Sequence, residues 1–235
     1  MATSSSKLTP AWLMSPWAKP VWMLLLALPA LLVLTQAFTD QLGANPAEAL
    51  TRQTGDWAMR GLILVLLIGP LRTWTGWPAL LRFRRATGVA VFVYAALHML
   101  CWAWFEQGLE VADMWDDLVK RPFILVGAIT LVTMLPLALS SNNLSIRKMC
   151  GAAWKRLHRL IFLAAPLAML HFYWMRAGKQ RFTEVVIDGA LIVALLLWRL
   201  GWQLVWPWVW RRRQAQLGTC SEPVSYTHLT LPTIL

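Results

Sequence analysis

Acidic residues are scarce in this sequence: 11 Asp+Glu in 235 residues, against 22 Lys+Arg. Charge of either sign is scarce too, at 14% of the chain, where a soluble domain carries about 25%. A disordered chain is excluded, and an ordinary cytosolic domain is argued against. Cysteine is almost missing. Cys101, Cys150 and Cys220 contain no CxxC, and are too few and scattered for a disulfide framework; they read as buried or loop thiols. There is no GxGxxG and no GxxxxGK[ST], so no phosphate-cradling loop of those types. There is no GxSxG, and no Cys or carboxylate stands near the histidines at zinc-like spacing.

What the chain has in quantity is apolar: 58% of its residues, with 16 Trp. A spanning helix needs about 20 mostly apolar residues. Six stretches qualify: Val21–Phe38, Trp57–Trp74, Ala86–Phe105, Phe123–Ser140, Trp154–Trp174 and Val185–Trp206. The first is too long for a signal-peptide core and has no small-residue cleavage site after it, so it reads as a retained span. With the N-terminus inside, 15 of the 22 basic residues fall in inner loops and termini, among them Arg82, Arg84, Arg85, Arg147, Arg156 and Arg159. Ten of the 11 acidic residues fall outside. The positive-inside rule then gives N-in, C-in, and the basic excess is a topology signal, not a nucleic-acid patch. Trp102, Trp104 and Trp115 read as interface-belt residues. The expected fold is all-α: a polytopic membrane protein of six transmembrane helices. Residues 1–20 form a cytoplasmic segment, 21–210 the six-helix domain and 211–235 a basic stop and tail. The Thr-rich stretch 221–235, with His228, resembles adapter or vector sequence and is expected to be non-native. With so little chain after Arg213, no NADPH-binding module is expected in it.

Three of the four histidines lie in apolar spans, and an ionisable residue within a span is a functional candidate by default. His98 is 13 residues past Arg85, about 20 Å along a helix. His171 is 12 past Arg159, about 18 Å. Both spans run outward, so the two histidines are level in the outer half of the bilayer. Neutral imidazole is a usual axial ligand of haem iron, so one haem between them is the natural reading. His158 sits near the inner surface. On an ideal helix it stands about 220° around from His171, unless Pro166 bends the helix. Fourteen residues before His98, where a partner for His158 would stand, is Arg84. Arg60 lies in the outer part of the second span and is a candidate for pairing a haem propionate.

Several segments resemble the MsrQ (YedZ) family of the ferric reductase-like transmembrane group. They are GANPAEALTRQTGDWAMR (43–60), RRATGVAVFVYAALHML (84–100), KRPFILVG (120–127), LPLALSSN (135–142) and WKRLHRLIFLAAPLAMLHFYW (154–174). SIRKMCG (145–151) departs from the pattern by carrying Cys150. The resemblance implies that His98, His158 and His171 are the haem-associated histidines of a haem-binding helical bundle. It implies b-type haem, one or two, and FMN as a further cofactor. The implied role is an electron-transfer subunit in the bacterial inner membrane, not itself catalytic on the sulfoxide. Electrons would come from the quinone pool, or from a cytosolic flavin reductase. They would pass to a periplasmic molybdopterin-containing subunit that repairs methionine sulfoxide. The alternatives are a transmembrane metalloreductase for ferric or cupric ions, and a haem-free transporter.

Overall fold

A computed structural model describes residues 9–149, 151–177 and 182–217, with side chains to residue 202 and not at 146. The expectations for residues 1–8, Cys150, Cys220 and 221–235 lie outside the described residues. The helices are α1 Ala11–Met14, α2 Ala18–Phe38, α3 Pro46–Thr75, α4 Leu81–Cys101, α5 Val111–Lys120, α6 Pro122–Leu139, α7 Asn143–Lys148, α8 Gly151–Leu157, α9 Ile161–Ala177 and α10 Phe182–Leu217. The described residues contain no strand. Six helical stretches are long and apolar enough to cross a membrane: Ala18–Phe38, Pro46–Thr75, Pro78–Glu106, Pro122–Leu139, Gly151–Ala177 and Phe182–Trp202. The chain is an all-α, polytopic membrane protein.

The apolar stretch expected from Trp57 is only part of its helix, which begins at Pro46. The start is set by local chemistry: the Asn45 side chain accepts from the Glu48 amide at 3.2 Å, and Pro46 stands where a missing N–H costs nothing. About three further turns of helix therefore stand before the hydropathy signal begins. The helix stops at Gly76, which takes the left-handed conformation (φ 72°) and donates its N–H to the Arg72 carbonyl. That tight stop returns the chain directly into α4, which packs along α3. At Gly61 the two helices close up, since a Cβ there would stand 2.8 Å from Val91 Cγ2. Close backbone approach through small residues is how helices gain contact in lipid.

α6 and α9 make the second packed pair, and both pairs share one core of Met59, Leu62, Leu66, Val91, Met134, Ala164, Ala165 and Phe172. Val185, Ile192 and Leu195 add one face of α10 to it. The described residues up to 196 form one unit and those from 197 another; in the second the Trp198 and Trp202 rings stack at 6.3 Å. α2 buries only Val33 and leaves Leu24, Leu25, Leu31 and Leu32 about half exposed, which suits a lipid-facing helix. At one end of the bundle lies α5. There Asp117 is buried, accepts from Gln107 Nε2 at 2.8 Å and pairs with Arg121. Lys120 bonds Asp116 at 2.7 Å, which holds its ammonium above the usual lysine range. The opposite end carries α7, where Arg85 bonds the Ser141 carbonyl and Asn143.

Pro29 interrupts α2, and a tyrosine repairs the break. The Tyr94 hydroxyl donates to the Leu26 carbonyl and accepts from the Ala30 amide, both at 2.9 Å. It thereby bridges the two groups that an uninterrupted helix would pair directly. Tyr94→Phe leaves both backbone groups without the bridge, in surroundings without water. The expected result is a loss of about 1–3 kcal/mol, read as a lowered unfolding midpoint in detergent; an unchanged midpoint contradicts the bridging role.

Candidate functional site

The cavity in the core of the first unit has a volume of about 310 Å³, within the range of small-molecule sites. Four helices wall it: α3 with Thr51 and Gly55, α4 with His98 and, just past its end, Trp102, α6 with Phe123 and Gly127, and α9 with His171 and Arg176. The His98 and His171 rings stand edge to face, with centroids 5.9 Å apart and planes at 73°. The level placement reckoned from helical rise is therefore what the helices deliver.

Each ring is held the same way. His98 Nδ1 lies 2.7 Å from the Thr51 carbonyl oxygen, and His171 Nδ1 lies 2.7 Å from that of Phe123. A carbonyl only accepts, so each Nδ1 carries the proton and each Nε2 keeps its lone pair. The carbonyl is reachable because the residue one turn further on is glycine. A Cβ at Gly55 would stand 2.9 Å from His98 Nδ1, and one at Gly127 would stand 2.8 Å from His171 Cε1. The ring thus lies in a groove that any side chain would fill. An imidazole nitrogen bonds a transition metal at about 2 Å, so two imidazoles on opposite sides of one ion have centroids about 6 Å apart. With 5.9 Å between centroids, His98 and His171 are the residues that would hold one metal centre between them. Among the described residues, no three His, Cys, Asp or Glu side chains gather into a chelating group.

Charge is confined to the α5 end of the cavity. Arg176 is 5% exposed, bonds Asp56 at 2.6 Å and Glu184 at 3.0 Å, and lies over the Phe172 ring. It ties α9 to α3 and α10. Arg52 pairs with Glu48, and Arg121 with Asp117. Toward the α7 end the wall is Leu62, Val91, Leu131 and Met134.

His158 is elsewhere. It opens a 3₁₀ turn, His158–Leu160, between α8 and α9, stacks on Trp154 with centroids 3.8 Å apart, and does not line the cavity. This turn ends the α8 helix before α9 begins, while Pro166 lies inside α9. Arg60 also lies outside the cavity. It stands about 140° around α3 from Gly55, with its guanidinium 4.9 Å over the Trp57 ring. It faces a second cavity, of about 180 Å³, between α2, α3 and α4. Trp102, expected in an interface belt, is buried at 6% exposure. It sits one turn past His98 on the same face, where the chain enters a π-helical turn, Trp102–Glu106; Trp104 and Trp115 are exposed as expected. Gly55, Gly127, Thr51, Phe123 and Arg176 were not picked out from the sequence. One signal was available: Gly55 precedes His98 by 43 residues and Gly127 precedes His171 by 44.

Residues 54–170 match the family described as "Ferric reductase like transmembrane component". The chain is 48% identical over 189 residues to the "Protein-methionine-sulfoxide reductase heme-binding subunit MsrQ" of Polaromonas naphthalenivorans, a match covering 80% of this chain and 86% of that protein. Proteins of the same description from Herminiimonas arsenicoxydans and Ralstonia nicotianae are 45% and 44% identical. These matches cover 69% and 75% of this chain, and 74% and 81% of those proteins. No solved structure matches the chain.

The glycine grooves make a direct prediction. Gly127→Ala forces the His171 ring off the Phe123 carbonyl and lowers stability by about 1–3 kcal/mol in an unfolding titration in detergent. Gly69→Ala, at a helical glycine with open space around it, is expected to leave the midpoint unchanged or raise it. Equal midpoints for Gly127→Ala and the parent protein contradict the groove.

Proposed function

The chain belongs to the MsrQ family of haem-binding subunits of protein-methionine-sulfoxide reductase, and from that membership we propose that it carries one b-type haem between His98 and His171. In this reading it passes electrons across the bacterial inner membrane to a periplasmic, molybdopterin-containing subunit that reduces methionine sulfoxide in proteins. The observation that carries the reading is the pair of imidazoles 5.9 Å apart with both Nδ1–H groups committed to carbonyls. Held by these two residues, haem would supply one-electron transfer.

The chain's own residues explain why that carrier would be held here. The Thr51 and Phe123 carbonyls fix the tautomer of each ligand and raise its basicity. Leu62, Val91, Leu131 and Met134 keep the α7 end of the cavity apolar. The charge asymmetry supports the α5 end as the periplasmic one, with α7 and His158 at the cytoplasmic face. Glu106, Glu110 and Asp113 stand exposed at the α5 end and give a partner's basic residues something to meet; Asp116 and Asp117 are already engaged by Lys120 and Arg121. Quinol in the bilayer is the proposed donor, with a cytosolic flavin reductase as the other source. We assign FMN no residues. His158, stacked on Trp154, and Arg60, over Trp57, are left outside the haem site, which supports one haem over two.

The test is the absorption spectrum of the purified protein in detergent, supplied with haem. A reduced b-type spectrum is expected, lost in His98→Ala and in His171→Ala and retained at one haem per chain in His158→Ala. Colourless parent protein contradicts the reading, and half the haem in His158→Ala contradicts the single site.

A further inference from the structure

The second cavity, of about 180 Å³, sits at mid-height of the three helices around it. Pro29 is the twelfth of 21 residues in α2, Arg60 the fifteenth of 30 in α3 and Val91 the eleventh of 21 in α4, and all three line it. Arg60 is about 22 Å from either end of its helix. A guanidinium at that depth stands in hydrocarbon, where an ionisable group calls for a partner. Three other polar side chains of the wall have theirs: Trp22 Nε1 bonds Thr87 Oγ1, and the Tyr94 hydroxyl bridges Leu26 and Ala30. Arg60 is exposed, and among the described residues its guanidinium makes no hydrogen bond or ion pair. It lies over the Trp57 ring and feels the field of Asp188 on α10. Stacking uses the face of the guanidinium and leaves the five N–H donors in its plane unused.

We infer that this cavity is a binding site for the ring of a lipid-soluble quinone, with Arg60 donating to a ring oxygen; the assignment rests on the reading of quinol as donor and gives that donor a place. A lipid phosphate stays in the headgroup layer, roughly 15 Å or more from the midplane, and does not reach this depth. A carboxylate would have to shed its hydration to enter. A quinone carries two acceptor oxygens on an uncharged ring and dissolves in the hydrocarbon. Trp22 and Trp57 supply aromatic walls for such a ring, and Leu25, Leu64 and Ala90 apolar ones. The cavity is also well placed. Val91 lines both it and the main cavity, so one side chain stands between the two. Gly61 lets α3 close onto that side chain, since a Cβ there would stand 2.8 Å from Val91 Cγ2. A ring beside Arg60 is therefore a near neighbour of whatever His98 and His171 hold.

The test is calorimetric titration of the apo-protein in detergent with decylubiquinone and, separately, with decylbenzene, which has a ring and tail but no oxygens. The parent protein is expected to bind the quinone roughly tenfold or more tightly than decylbenzene. Arg60→Leu is expected to lose roughly tenfold or more in quinone affinity and to bind decylbenzene as the parent does. Ala90→Phe, which fills the cavity and leaves Arg60 in place, is expected to lose both ligands. Quinone affinity unchanged in Arg60→Leu overturns the inference, and so does an equal loss for both ligands, or quinone binding that survives Ala90→Phe. Should neither variant fold, equal affinity of the parent protein for the two ligands overturns it alone. Mixing decylubiquinol with the haem-loaded parent protein tests the donor reading separately. Haem reduction together with unchanged quinone affinity in Arg60→Leu keeps quinol as donor and removes it from this cavity. Quinone bound through Arg60 without haem reduction keeps the site and removes quinol as donor.

Discussion

Each central imidazole gives its Nδ1–H to a backbone carbonyl of the neighbouring helix, and the cavity depends on that bond. It fixes the tautomer, so that the lone pair is on Nε2. It also holds the ring in place, so that the two rings on α4 and α9 stand with centroids 5.9 Å apart. The bond is available only because Gly55 and Gly127 leave the groove beside each carbonyl open. The device therefore joins three levels: a residue without a side chain, a close contact between helices, and a pair of imidazoles with matched chemistry.

The same device appears twice. α3 with α4 and α6 with α9 each present a carbonyl, a glycine one turn later and a histidine on the packed partner. In both pairs the glycine helix and the histidine helix run in opposite directions, so the two halves of the cavity are built alike. Elsewhere the bundle follows what a dry solvent demands. Apolar side chains are left facing outward along α2, while polar groups inside are bridged: Tyr94 across the break at Pro29, Trp22 Nε1 to Thr87 Oγ1 at 3.0 Å, Arg176 to Asp56 and Glu184. Unpaired polar groups cost more in lipid than in water, so such bridges are obligatory there.

Much of this was legible in the residues. Hydropathy located all six spans, because the bilayer sets both their length and their composition. Helical rise brought His98 and His171 level, because α4 and α9 start from the same charged layer. What was not legible depends on atoms with no residue-type signal. The Thr51 and Phe123 carbonyls are backbone groups, and any residue could supply them. The first turns of α3 are capped by Asn45 and Pro46 but are too polar to register as a span, so the wall made by Thr51, Gly55 and Asp56 was read as loop. Arg176 lies beyond Trp174, where the fifth apolar stretch ends, yet it is buried among carboxylates. Trp102 was assigned to the interface by its type, and its position one turn from His98 turned it inward. The parts repeated between the two halves are a glycine, a histidine and a stretch of backbone, too little to read as an internal repeat in the sequence.

The central claim is that two imidazoles, both with Nε2 free, share one iron. Electron paramagnetic resonance of the oxidised, haem-loaded protein tests it most directly, because the spin state of ferric haem reports its axial ligands. Two imidazoles predict a low-spin ferric signal that disappears when either His98 or His171 is replaced by alanine. A high-spin signal from the parent protein, or a low-spin signal that survives His171→Ala, would contradict the account.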